Sequence, residues 1–270
     1  RSYYCSDFKF RKGMVSDKNT PAYTLHMADG MWLNKSFKNS ILQRIAKCEL
    51  DGKRYVYSDL GFVLLQQVVE KVTELPMDLY LAREFYAPMG LQRTMFLPLT
   101  KFTKAEIMPT ASNDFLRRQD ICGYVHDETA ACMGGVSGNA GLFSTAEEVA
   151  KVYQMLLNGG ELDGKRYLSK ETCRLFTTTV ARSCRRGLGF DKPDMQNPAK
   201  SPCAPSAPAS VYGHTGFTGT CAWVDPENKT VYVFLSNRLC PNVWNTKLGD
   251  MNIRRDIQEL IYKSIIPQIP

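Results

Sequence analysis

The order of periodic segments along this 270-residue chain predicts an α+β fold. Helical periodicity dominates most of the chain, strand-like patterning appears only beyond about residue 210, and an amphipathic segment returns at the C-terminus. No internal repeat is visible, and strands and helices do not alternate as they would in a doubly wound protein. With 44% hydrophobic residues, a chain of this length can bury a real core, which excludes disorder for most of it.

Taken in order, the first 40 residues are polar and broken by Gly13, Pro21 and Gly30, and "SFKNSILQRIAKCEL" then predicts a short amphipathic helix. A turn at Asp51-Gly52 follows. In "YVYSDLGFVLLQQVVEKVTELP", Leu60, Val63, Leu64, Val68 and Val72 recur at helical spacing, and Pro76 marks a stop. "MDLYLAREFYAPMGL" predicts another helix, ended by Pro88 and Gly90, whereas residues 97–123 read as a long connection with little periodicity. The glycine-rich "CMGGVSGNAGLFST" leads into "AEEVAKVYQMLLNGG", a helix that Ser144 or Thr145 can cap with Glu147 or Glu148 three residues on, and that Gly159-Gly160 closes. A further helix is expected near 169–178. Residues 191–210 carry five of the fourteen prolines and read as a loop. "VYGHTGFTGTCAWVD", a turn at Pro226-Glu227-Asn228 and "TVYVFLSN" read as an antiparallel pair. "MNIRRDIQELIYKSII" places Ile253, Ile257, Leu260 and Ile261 on one face of a helix suited to covering a sheet.

The formal charge of +7 is scattered, its longest clusters being Arg117-Arg118, Arg185-Arg186 and Arg254-Arg255. This pattern favours a solvated surface over a nucleic-acid interface. Nine cysteines lie at irregular spacings without a Cys-x-x-Cys pair and read as small buried side chains. No apolar run is long enough to span a membrane, and no signal peptide is visible in this chain, which does not begin with Met.

Three stretches carry candidate chemistry. Tyr57 and Asp59 in "YSDLGF" lie just before the strongest helix, where a phenol can serve as a base if a nearby cation lowers its pKa. The competing reading makes Tyr57 a core aromatic and Ser58 or Asp59 an N-cap. In "GHTGFTG", three glycines within seven residues are costly in a strand unless something approaches the backbone closely. A substrate lying along it would supply the reason, with His214 and Thr215 as polar contacts and the Phe217 N–H aimed at a developing oxyanion. A bulged edge with a surface histidine is the alternative. Ser6 and Lys9 have the spacing Ser-x-x-Lys, which on a helix lets an amine take a hydroxyl proton. His126-Asp127-Glu128 matches the His-x-Glu of zinc deaminases, but no Pro-Cys-x-x-Cys follows, so His126 reads as a loop histidine.

"YSD" before a helix, "GNAGLFSTAEEVAK", and "GHTGFTGT" before a hairpin and C-terminal helix together resemble the serine β-lactamase and penicillin-binding-protein superfamily. The class C and esterase-like branch is the closer match, over most of residues 50–266. That family uses Ser-x-x-Lys, a Tyr-x-Asn or Ser-x-Asn box, and Lys-Thr-Gly with His replacing Lys in many members. Tyr57-Ser58-Asp59 resembles the second box, with Asp where Asn is usual, and His214-Thr215-Gly216 the third. Ser58-Asp59-Leu60 fits less well as a Ser-Asp-Asn box because Leu60 supplies no amide.

The resemblance implies a β-lactamase-like fold, an antiparallel sheet flanked by helices with a mostly helical subdomain, and acyl transfer on a small amide, ester or peptide. It also implies an extracytoplasmic, for example periplasmic, location and neither metal nor cofactor. Tyr57 and a lysine would exchange the proton of a serine, with Asp59 beside them, and the Phe217 N–H would complete the oxyanion hole. His214, Thr215 and Gly216 would contact substrate. In this family the nucleophile opens a long apolar helix, yet "FRKGMVSDKNTP" after Lys9 is polar and broken, so Ser6 and Lys9 are expected to be coincidental. The chain is therefore expected to be one N-terminally incomplete domain, helical and looped to about 190, proline-rich over 191–210, and sheet plus helix over 211–270. Its first strands and nucleophile helix would lie upstream, leaving the chain inactive alone. A non-catalytic binding or structural domain of a larger protein is the alternative.

Overall fold

The computed structural model describes residues 10, 12–49, 55–181 and 184–265. Ser6, Lys9 and the Asp51-Gly52 turn lie outside them. The chain forms two compact units, residues 1–144 with 239–243 and residues 145–238 with 244–270.

The first unit opens on a three-stranded antiparallel sheet, β1 (Val15–Ser16), β2 (Tyr23–Ala28) and β3 (Met31–Asn34), in the order β1-β3-β2. The polar pattern of the first 40 residues concealed it, because the β2–β3 register is irregular between Tyr23 and Leu25 and again between His26 and Ala28. Such irregularities break the period-2 alternation that marks a strand. Helix α1 (Ser36–Ala46) buries Phe37, Ile41 and Ile45 against Met27 and Leu33 of the sheet. Helix α2 (Leu60–Thr73) adds Val63 to the same core. Leu60 packs against that core as well, but the rest of the predicted stripe does not: Val68 is 54% and Val72 76% exposed, and Leu64 and Leu65 also face solvent. Helix α3 (Met77–Leu81) continues as a π-helical turn over Ala82–Tyr86, in keeping with the predicted helix.

The 97–123 connection contains two 3-10 turns and the short pair β4 (Pro109–Ala111) and β5 (Ile121–Cys122). Helix α4 (Glu128–Cys132), absent from the sequence reading, is too short for helical periodicity to register. Ala130, Ala131 and Cys132 complete the core.

In the second unit, α5 (Ala146–Leu157) is capped by Thr145, whose hydroxyl accepts from the Glu148 N–H at 3.3 Å. A short hairpin, β6 (Glu161–Leu162) and β7 (Lys165–Arg166), precedes α6 (Lys170–Thr177), which Ser169 caps. The predicted antiparallel pair is in fact a three-stranded sheet of β8 (Tyr212–Thr215), β9 (Cys221–Asp225) and β10 (Thr230–Phe234), ordered β10-β9-β8 with unbroken register. Residues 216–220 form a turn within the stretch read as a single strand. At the predicted Pro226-Glu227-Asn228 turn, Asp225 Oδ1 accepts from the N–H groups of Glu227 and Asn228 at 2.9 and 3.0 Å.

Helix α7 (Lys247–Asp250) is followed by α8 (Ile253–Ile265). Ile257 and Ile261 of α8 pack toward Trp223 and Tyr232 as expected, but Leu260 is 64% exposed, and Gln258 and Tyr262 are buried instead. The buried pair is held by polar contacts, with Tyr262 donating to Asp225 at 2.8 Å and Gln258 accepting from the Ala204 N–H at 2.8 Å. The proline-rich 191–210 segment is irregular, as read, yet Cys203, Ala204 and Ala207 lie within the core.

The arginine pairs are not simply a solvated surface. Arg117 has a fully buried side chain paired with Asp114, and Arg254 and Arg255 donate to backbone carbonyls. Among the described residues no helix is long and apolar enough to cross a membrane.

Candidate active site

The predicted residues fall in both units. Tyr57 and Asp59 belong to the first and immediately precede α2. Tyr57 is 45% exposed, so it is not a core aromatic. The Asp59 carbonyl accepts from the N–H groups of Phe62 and Val63 as the helix begins, while its carboxylate makes no capping bond. Ser58 instead accepts from the Leu60 N–H at 3.3 Å, a local turn that stiffens the entry to α2. Asp59 thus holds the N-cap position of α2 without its carboxylate capping the helix, and Tyr57 lies outside the core.

His214, Thr215 and Gly216 occupy the end of β8 and the start of its turn. Asp191 forms an antiparallel bridge with Gly213, the Asp191 N–H donating to the Gly213 carbonyl at 2.7 Å and the Gly213 N–H returning at 3.0 Å. On the other side, the Gly216 N–H donates to the Thr220 carbonyl at 2.7 Å. These two facts fix the parity of the strand: even-numbered backbone groups face β9, and odd-numbered ones face the outer edge. The Thr215 N–H therefore points outward, one step beyond the bridge to Asp191. Phe217 follows as the first central residue of a turn closed by the Gly219 N–H on the Gly216 carbonyl at 3.1 Å.

Close approach to the glycines is internal. A Cβ on Gly213 would lie 2.0 Å from the Ala222 carbonyl oxygen and 2.7 Å from Trp223, and one on Gly216 would lie 2.1 Å from Thr220 Oγ1. Gly219 has φ +115°. The fold itself, without a substrate, accounts for all three, so the glycine spacing alone is not evidence of a ligand.

The arginines around this turn were missed from sequence, where they read as scattered surface charge. Arg254, from α8, donates to the carbonyls of Gly216 and Thr220 at 3.3 and 2.8 Å. Arg238 donates to the Phe217 carbonyl at 2.8 Å and lies over the Phe217 ring at 4.4 Å. Desolvation and then the nearby Arg254 charge lower the Arg238 pKa. Asp191, nearly fully buried, accepts from Arg185 Nε at 2.8 Å and Nη2 at 3.0 Å, from Arg186 Nη2 at 2.7 Å and from the Lys192 N–H at 2.8 Å. Arg186 Nη1 in turn donates to His214 Nε2 at 2.7 Å. Buried Lys192 donates to the carbonyls of Thr177, Ser210 and Val211, and desolvation lowers its pKa. Adjacent arginines followed five or six residues later by an Asp are the only sequence trace of this cluster.

His126 contributes its backbone carbonyl as acceptor for Arg117 at 2.8 Å. No group of three or more His, Cys, Asp or Glu side chains among the described residues has metal-binding geometry.

The sequence matches the Beta-lactamase family over residues 16–248. It is 37% identical over 217 residues, 74% of this chain and 50% of the relative, to a protein of Escherichia coli (strain K12) named "Putative D-alanyl-D-alanine carboxypeptidase". The chain spans about half the length of this relative. Among solved structures, a β-lactamase from Mycobacterium bovis matches with a TM-score of 0.52 at 18% identity, covering 90% of this chain and 72% of that one. A simvastatin synthase variant from Aspergillus terreus matches with a TM-score of 0.57 at 16% identity, covering 90% and 64%. This chain belongs to the β-lactamase family and has a β-lactamase-like fold of helices with small antiparallel sheets.

Proposed function

We propose, on the premise of that membership, that this chain is the C-terminal part of a serine hydrolase performing acyl transfer, whose nucleophile lies on a segment upstream of Arg1. A serine there attacks a carbonyl, Tyr57 and an upstream lysine exchange its proton with Asp59 beside them, and water later releases the acyl group. The Phe217 N–H donates to the developing oxyanion. Thr215, Gly216 and His214 line the substrate, which lies along the outer edge of β8. The observation that carries this reading is that edge: Asp191 covers it at Gly213 and leaves the Thr215 N–H facing outward just before Phe217.

Of the three substrate classes, a peptide ending in a D-amino acid is favoured, because the relatives carry carboxypeptidase names and arginines surround the β8 turn. An extracytoplasmic setting is the matching proposal for such a substrate. The test is turnover by the full-length protein on peptides ending in D-alanyl-D-alanine, together with intact mass after exposure to a penicillin. Release of the terminal D-alanine and a covalent adduct are expected. Absence of both, with esters also untouched, would favour a non-catalytic binding domain.

A further inference from the structure

We propose that Arg186 is a positioning residue that fixes the tautomer of His214 and thereby makes the outer edge of β8 offer donors rather than acceptors. Its meaning for substrate choice rests on the function proposed above; the positioning itself does not.

The argument begins with what each nitrogen of His214 touches. Nε2 lies 2.7 Å from Arg186 Nη1, and a guanidinium can only donate. Nδ1 lies 2.7 Å from the Thr215 carbonyl oxygen, which can only accept. One tautomer satisfies both contacts, with the proton on Nδ1 and a lone pair on Nε2. Arg186 is in turn held by Asp191, which is buried and also bound by Arg185 and by the Lys192 N–H. The chain of contacts runs from a buried carboxylate through Arg186 and His214 to one backbone carbonyl of β8.

That carbonyl is on the substrate edge. By the strand parity, the N–H and C=O of Thr215 both face outward, as those of Gly213 do toward Asp191. The imidazole occupies the Thr215 carbonyl, and the Thr215 N–H remains directed at the same edge. A ligand laid there finds the Thr215 N–H as a donor, beside a carbonyl that already accepts from the imidazole and has one lone pair left. Carbonyl and carboxylate oxygens are therefore favoured over amide N–H groups at this point. The same contacts exclude His214 Nε2 as proton acceptor in the reaction, because Arg186 already donates to it.

The chain has three histidines, so nitrogen-resolved NMR of the imidazoles is tractable. Spectra recorded at pH 8.5 should show His214 protonated on Nδ1 and not on Nε2, with assignment by His214→Gln. Arg186→Met should move the population toward the Nε2–H form. Arg186→Lys, which retains a charge for Asp191 but lacks the second arm of the fork, should do the same if the Met variant fails to fold. An Nε2–H ring in the parent, or a tautomer unmoved in a folded Arg186 variant, would overturn the proposal.

In the full-length protein, the preference for a substrate with a terminal carboxylate over its carboxamide should fall roughly 10-fold in Arg186→Lys, the effect of about one hydrogen bond once the Thr215 carbonyl is released to accept from the carboxamide. An equal loss on both substrates would contradict the specificity claim. A full-length parent inactive on every substrate would instead sink the proposed function, while the NMR result would still decide the positioning role.

Discussion

Asp191 holds two arginines and a backbone N–H at 4% side-chain exposure, whereas Tyr57, in the other unit, is 45% exposed at the head of a helix with Leu64, Leu65, Val68 and Val72 facing solvent. The β8 half of the proposed machinery is set by buried contacts within its own unit. A substitution there changes stability and site together. The Tyr57 half sits on a surface, where a substitution is expected to cost its unit little and, on the function proposed, to act mainly on chemistry. Position in the core therefore predicts which variants confound folding with function.

Tyr57→Phe offers the sharpest test of this contrast. In the full-length protein, kcat should fall about 10²–10⁴-fold, the usual contribution of a positioned proton-transfer group. KM should change little, and unfolding of the 270-residue chain should shift by less than about 0.5 kcal/mol. A large stability loss would place Tyr57 in the same class as Asp191.

For Asp191→Ala, the chain should lose roughly 3–5 kcal/mol in urea unfolding, because the arginines and the Lys192 N–H lose a buried acceptor. A loss under about 1 kcal/mol would mean that the cluster is solvated in practice and does not organise β8. Two glycines give the same contrast on a smaller scale. Gly213→Ala should cost about 1–3 kcal/mol, since its Cβ would overlap the Ala222 carbonyl and Trp223. Gly61→Ala in α2 meets nothing within 4 Å and should stabilise by about 0.5–1 kcal/mol through helix propensity. If Gly213→Ala were neutral, the close packing of β8 on β9 would be in error.

Sequence reading located α1, α2 and α5 because apolar spacing and, at α5, a cap are local properties. Thr145, for example, caps α5 within three residues of itself. The second sheet was legible from β9 and β10, whose register is unbroken, although its turn at Gly216–Thr220 was not. The first sheet escaped notice because its shifted register removes the alternation a strand would show. Burial was misjudged wherever a polar contact, rather than hydrophobicity, selects the inward face, as Gln258 and Tyr262 displace Leu260 on α8. Of the site, the boxes at Tyr57 and His214 could be read because they are contiguous. Arg186 could not, since its role depends on Asp191 and His214 meeting it from separate segments.

Covalent labelling with a fluorophosphonate, followed by intact mass and adduct mapping, tests the central claim most directly. The 270-residue chain should take up no label, and Ser6→Ala should change nothing. The full-length protein should carry one adduct on a serine preceding Arg1. A stoichiometric adduct on Ser6 in the isolated chain would contradict the account and make Ser6 and Lys9 the nucleophile box.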